Sequence, residues 1–196
     1  MGMDPSQTPS EWAAGRDWRW RAPLILLLGY TAMRGLSAPM AWNVWSGITL
    51  VAHESGHAFF GWFGEVIGVA GGSIMQLLVP VIVMIALRRQ GDWYGVAAGG
   101  TWLAFSLANL ATYIADARAQ ALPLVGFSDN PEHDWHWLLA RYGWLAHDAG
   151  IARVTRLCSA LVLAGSVGFG LWLCRVMWRT AGSGPEEAAL REPGAP

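Results

Sequence analysis

Lysine is absent from this 196-residue chain, and charge of either sign is scarce: 13 arginines stand against 14 acidic residues, together 14% of the sequence. A water-soluble domain ordinarily carries about 25% charged residues, so there is too little charge here to cover an aqueous surface. The net charge of -1 supplies no bulk positive field, and no nucleic-acid partner is expected. Only two cysteines are present, Cys158 and Cys174, both in one apolar segment. Sixteen residues of helix between them is about 24 Å, far beyond disulfide reach. The N-terminus lacks the basic start of a secretory signal, and the first apolar run begins only after Arg21. A polar tail over residues 1–21 is therefore expected in place of a cleaved leader. Arginine as the sole strong base, with abundant Ala and Gly, reflects a GC-rich genome. It makes a bacterial cytoplasmic (inner) membrane the default location.

What fills the chain is apolar. Hydrophobic residues make up 54% and the mean hydropathy is +0.31. Thirteen tryptophans, among them Trp18, Trp20, Trp42, Trp93 and Trp178, flank apolar runs, where amphipathic rings settle at the headgroup level of a bilayer. Five such runs lie at about 22–36, 40–63, 66–87, 93–115 and 157–177. The first is short, interrupted by Arg34 and followed by Pro39; the third is broken by Gly71-Gly72 and by Pro80; the fourth has no charge. A span needs about 20 apolar residues, which gives an all-α membrane protein, a polytopic bundle of four to five transmembrane helices over 22–179. Membrane lipid is its first partner.

A polar insert at 116–156 separates the last two runs. Asp129-Asn130-Pro131 reads as a turn within it. Trp135, Leu138, Leu139 and Tyr142 then recur at helical spacing, as in an amphipathic helix lying at the interface. Residues 180–196, rich in Gly, Pro, Ala and Glu, read as a flexible tail. Orientation stays open: Arg16, Arg19 and Arg21 favour a cytoplasmic N-terminus, but five full spans would then put Arg88 and Arg89 outside.

The chemistry concentrates in His53-Glu54-Ser55-Gly56-His57. Histidines at i and i+4 share one helix face and can bind one Zn²⁺ together. Glu54 between them is placed as general base for a zinc-activated water. Ionisable side chains in an apolar span are costly and therefore functional by default. The bland alternative, two histidines hydrogen-bonded to neighbouring helices, leaves three polar groups seeking partners on one apolar helix. A tetrapyrrole is another ligand for histidine, but a bis-His heme needs its ligands on opposite sides. The remaining histidines, His133, His136 and His147, all lie in the insert. Because catalytic zinc takes three protein ligands and one water, His133 or Asp134 could fold back as the third. The alternative for Asp134 is to cap an interfacial helix.

His53-Glu54-Ser55-Gly56-His57-Ala58, followed by Phe63-Gly64 and Gly71-Gly72, resembles the core of the site-2 protease family of intramembrane zinc metalloproteases. The likeness covers roughly residues 40–116. It implies a re-entrant element at Gly71-Gly72 that dips into the membrane, and a third core helix whose Asn-to-Asp motif supplies the last ligand. Asn109 and Asp116 stand in that order, making Asp116 the ligand that the resemblance implies. The spacing is one residue short, Thr112 replaces a common proline, and Ala117 replaces the expected glycine. Asn109, Gly71, Gly72 and Gln76 would then hold an extended substrate backbone; taken singly, Asn109 and Gln76 suit interhelical hydrogen bonds equally well. The implied activity is hydrolysis of peptide bonds in membrane-spanning substrates. The competing reading is a catalytically silent membrane subunit of this fold, packed among neighbouring subunits of a bioenergetic or photosynthetic complex.

Overall fold

A computed structural model describes residues 6–38, 41–124 and 132–181. Among these residues the chain is helical, with no strand. Seven α-helices follow in order: α1 (Pro9–Ala13), α2 (Arg21–Ser37), α3 (Val44–Phe60), α4 (Glu65–Arg89), α5 (Trp93–Ala115), α6 (Asp134–Arg141) and α7 (Asp148–Thr180). Short 3₁₀ turns at Gly61–Phe63 and Leu145–His147 lead into α4 and α7. Pro39, Met40, the 129–131 turn and residues 182–196 lie outside the described residues.

Local sequence sets most helix starts. Asn43 caps α3 by accepting the Trp45 N–H at 2.9 Å, while Ser46 returns a bond from the Asn43 N–H. Asp92 caps α5 through the Gly95 N–H. Between α3 and α4, Gly64 takes φ +103°, a conformation that glycine alone adopts at no steric cost. Thr8 and Glu11 form a reciprocal capping box on α1, with Pro9 in the first turn, where a missing N–H costs nothing.

Helix α5 is the axis of the bundle, packed along α7, α4 and α2, while α3 lies against α4. Its inward face is small: Ala97, Gly99, Gly100, Ala104, Ala108 and Ala111 are all buried. Small residues let helix backbones approach closely, which substitutes for a hydrophobic drive where both sides are apolar. Two tryptophans then tie α3 in place. Trp102 Nε1 donates to Thr49 Oγ1 at 3.0 Å and stacks on Trp45, whose own Nε1 donates to Thr31 of α2 at 3.1 Å.

One expectation from the sequence is revised and two are given closer bounds. Helix α4 runs unbroken through Gly71-Gly72 and Pro80, so the glycine pair forms no re-entrant loop. Its lack of side chains is used for approach instead: a Cβ on Gly56 of α3 would overlap the Gly71 carbonyl. The N-terminal stretch is not a tail throughout, because Trp12 and Ala13 of α1 are buried beside Met177 of α7 and the Gly15 N–H donates to Thr180 Oγ1. The insert helix α6 ends at Arg141 and is anchored inward, with Leu139 buried and Trp135 packed against Leu110, Ile114 and Ala152.

Two helical runs, Glu65–Arg89 and Leu145–Thr180, are long and apolar enough to cross a membrane. Helices α2 and α3 have 17 residues each, about 26 Å at 1.5 Å per residue. The Gly, Ser, Thr and aromatic content that lets α5 pack at the centre also keeps it outside that pair. In the two qualifying helices only 33% and 22% of the most apolar window is buried. Ile74, Leu78, Ile82, Ile85, Leu157 and Leu161 face outward, the reverse of the core helix of a water-soluble protein.

Candidate metal centre

Helix α3 carries His53 and His57 on the face turned toward α4, one turn apart. Gln76 on α4 fixes the first ring. Its amide nitrogen donates to the Ser106 carbonyl at 2.9 Å and to Asn109 Oδ1 at 3.2 Å, which leaves its oxygen as acceptor. His53 Nδ1 lies 3.0 Å from that oxygen, so Nδ1 carries the proton and Nε2 presents a lone pair. The second ring is fixed the same way by backbone: His57 Nδ1–H donates to the Gly68 carbonyl at 2.9 Å. Partners of this kind on the far ring nitrogen set tautomer and orientation in metal-ligating histidines.

The two Nε2 atoms consequently face one another at 3.1 Å. Asp134 Oδ2, from the first residue of α6, stands 3.0 Å from His53 Nε2 and 3.2 Å from His57 Nε2. With each ring protonated at Nδ1 alone, three acceptors converge, and positive charge placed between them, a proton or a cation, relieves the repulsion. A single proton can bridge two of the three; a cation satisfies all. Ligands at about 2.0–2.1 Å in tetrahedral array stand about 3.3 Å apart, close to the separations observed. These three residues form the one group of its kind among the described residues whose ligand atoms could close on a metal ion. A Cβ on Gly72 would sit 2.5 Å from His57 Nε2 and 2.6 Å from His53 Nε2, so the missing side chain keeps this space open.

Asp134 is held from several directions. Its backbone N–H donates to Tyr113 Oη at 3.0 Å, and the next residue, Trp135, donates from Nε1 to Ser73 Oγ of α4 at 3.0 Å. Burial pushes its carboxyl up, but a proton shared with the His53 and His57 rings outweighs this and holds it below the ordinary carboxylate range. His133 serves α6 rather than the cluster. Its Nδ1 accepts the His136 N–H, its ring stacks on Tyr113 at 4.2 Å between centroids, and burial depresses its pKa against the opposing pull of Asp116.

Asp116 does not reach the two imidazoles. It ends α5, accepts the Ala121 and Leu122 N–H groups at 3.0 Å each, and places Oδ2 3.4 Å from His133 Nε2. That last contact is electrostatic, since the buried His133 Nε2 makes no hydrogen bond. His136 donates to the Ala117 carbonyl and His147 sits at the start of α7, both apart from the cluster.

Glu54, half-buried, faces a cavity of about 320 Å³ beside His53. Thr49 and Leu50 continue its wall on α3, Asn109, Thr112 and Tyr113 form the wall on α5, and Leu122-Pro123-Leu124 closes one side. Gln76 also lines this space but is committed to His53. Gly71 packs against Phe60 and Gly56 of α3 and lies outside the lining. Tyr113 was not singled out from the sequence. Its position one turn beyond Asn109 was the available signal; the Gly68 carbonyl, being backbone, left none. Comparison of the chain with protein-family models, with curated proteins and with solved structures finds no match.

Proposed function

We propose that this chain is a zinc metallohydrolase of the site-2 protease kind, embedded in a bacterial inner membrane and cutting peptide bonds of membrane-spanning substrates. The observation that carries the reading is the convergence of His53 Nε2, His57 Nε2 and Asp134 Oδ2 on one point, with the unengaged carboxylate of Glu54 next to it on a cavity wall. Two imidazoles and one carboxylate suit zinc. When bound there, the ion would supply Lewis acidity and bring the pKa of water to about 7.

The chain's own groups account for the rest. Glu54 makes no hydrogen bond among the described residues, so it is free to take a proton from water as the water oxygen adds to the substrate carbonyl carbon. It then delivers that proton to the amine nitrogen as the C–N bond breaks. At about 320 Å³ the cavity holds less than one turn of a helix with side chains, about 10–12 Å across, and helical carbonyls are already hydrogen-bonded. The substrate must therefore be extended where it is cut. Outward-facing leucine and isoleucine on α4 and α7 support lipid as the surrounding medium.

Glu54→Gln should retain about one zinc per chain and lose peptide hydrolysis, by a factor of about 100 or more. Cleavage at the parental rate would overturn the mechanism. The exposed aromatic rim at Phe59, Trp62 and Phe63, with Trp62 90% exposed, favours a second reading, a packing subunit of a larger membrane complex. Metal analysis of the purified protein separates the two: about one zinc per chain supports the enzyme, and none supports the subunit.

A further inference from the structure

The α5 wall of the cavity presents hydrogen-bond donors whose acceptor sites are already occupied. Asn109 Oδ1 receives the Gln76 amide, so the group it has left for the cavity is its NH₂. One turn on, Tyr113 Oη receives the Asp134 N–H at 3.0 Å, and no acceptor among the described residues takes its proton. The phenol ring is fixed on both sides, stacked on His133 at 4.2 Å and edge-on to His53 with centroids 6.0 Å apart. Its hydroxyl therefore lies 3.0 Å from the backbone nitrogen of Asp134 and lines the same cavity as Glu54, which stands on α3 where Tyr113 stands on α5. A wall that offers protons opposite a wall that takes one fits a carbonyl group whose oxygen gains negative charge as water attacks from the Glu54 side.

We propose that Tyr113 is a catalytic residue: its hydroxyl donates a hydrogen bond to the reacting carbonyl oxygen of the substrate, beside the Asn109 NH₂. No proton is transferred in this role; the O–H···O contact shortens as charge builds on the oxygen and relaxes when the C–N bond has broken. The proposal rests on the hydrolase reading above and adds a residue to it. Because the phenol also supports Asp134 and stacks on His133, Tyr113→Phe is the informative variant, keeping the ring and removing only the hydroxyl.

The test compares two probes on zinc-loaded full-length protein in detergent: an apolar peptide, and the same peptide with a tetrahedral phosphonate in place of one amide. Tyr113→Phe should bind zinc as the parent does and bind the amide peptide within about 2-fold. It should bind the phosphonate about 10- to 100-fold more weakly, because only the tetrahedral anion calls on the donor. Equal loss for both peptides, or loss of zinc, would make Tyr113 a positioning residue and overturn the proposal. Unchanged phosphonate affinity in the variant, with tight binding in the parent, overturns the role of Tyr113 alone. A parent that binds neither zinc nor the phosphonate overturns the hydrolase reading, and this proposal falls with it.

Discussion

At the scale of single residues, the chemistry turns on which atoms are denied alternatives. Gln76 is an amide whose donors are consumed by Ser106 and Asn109, so its oxygen compels His53 to turn Nε2 inward. Asp134 is charged and buried, a costly state unless positive charge meets it. Asp116, the other carboxylate candidate, is spent on two backbone N–H groups and stays 3.4 Å from His133. This difference separates the two carboxylates experimentally. Asp134→Ala should lose zinc affinity by at least about 10- to 100-fold. Asp116→Asn, which can still accept hydrogen bonds from Ala121 and Leu122, should bind zinc as the parent does. Isothermal titration of both variants against the parent decides it, and the opposite ranking would return the third ligand to Asp116.

At the scale of elements, the site depends on how closely α3 and α4 approach. Gly56 in the motif faces Gly71, and Gly72 faces the two imidazole nitrogens; any side chain there enters space that the ligands need. Gly72→Ala should therefore abolish zinc binding while helix content by circular dichroism is kept, since alanine favours helix over glycine by about 1 kcal/mol. Gly165→Ala on the open face of α7, where a Cβ meets nothing within 4 Å, is the control. It should leave zinc binding unchanged and raise thermal stability by about 0.4–1 kcal/mol. Zinc retained by Gly72→Ala would mean that the two helices sit farther apart than described. Helix α6 brings Asp134, the proposed third ligand, from 81 residues beyond His53 in the sequence. It is located by Trp135 on Ser73, by the Asp134 N–H on Tyr113 and by the burial of Leu139.

At the scale of the whole molecule, an inward face of small residues and an outward face of leucine and isoleucine invert the usual soluble arrangement. With α4 and α7 exposing most of their apolar windows, the chain should stay with the membrane pellet through alkaline carbonate extraction. Recovery in the supernatant would end the membrane reading. Helix α7, at 33 residues, is about 50 Å long, well beyond the roughly 30 Å hydrocarbon core of a bilayer, so a membrane crossing by α7 would leave part of it clear of lipid. The Arg118–Asp148 ion pair at 2.7 Å joins its start to the segment after α5. At the other end, α1 docks through Trp12 and Ala13, burying a stretch that its polar composition alone marked as a tail.

The sequence by itself determined that the chain is helical and apolar, and that His53, Glu54 and His57 lie together on a single helix, because these follow from local periodicity and an i, i+4 spacing. For a third ligand it put Asp116 first, on the resemblance, with His133 or Asp134 competing, since no local rule relates α3 to an insert 81 residues away. Tertiary structure brings Asp134 to the pair instead, by packing α6 against α4 and α5 so that its carboxylate reaches both imidazoles while Asp116 is held by its own loop. It likewise turned Gly71-Gly72 from an expected break into a point of close contact. A glycine pair looks the same in a loop and in a helix until a neighbouring helix arrives to use the space, and so the fold alone could decide it.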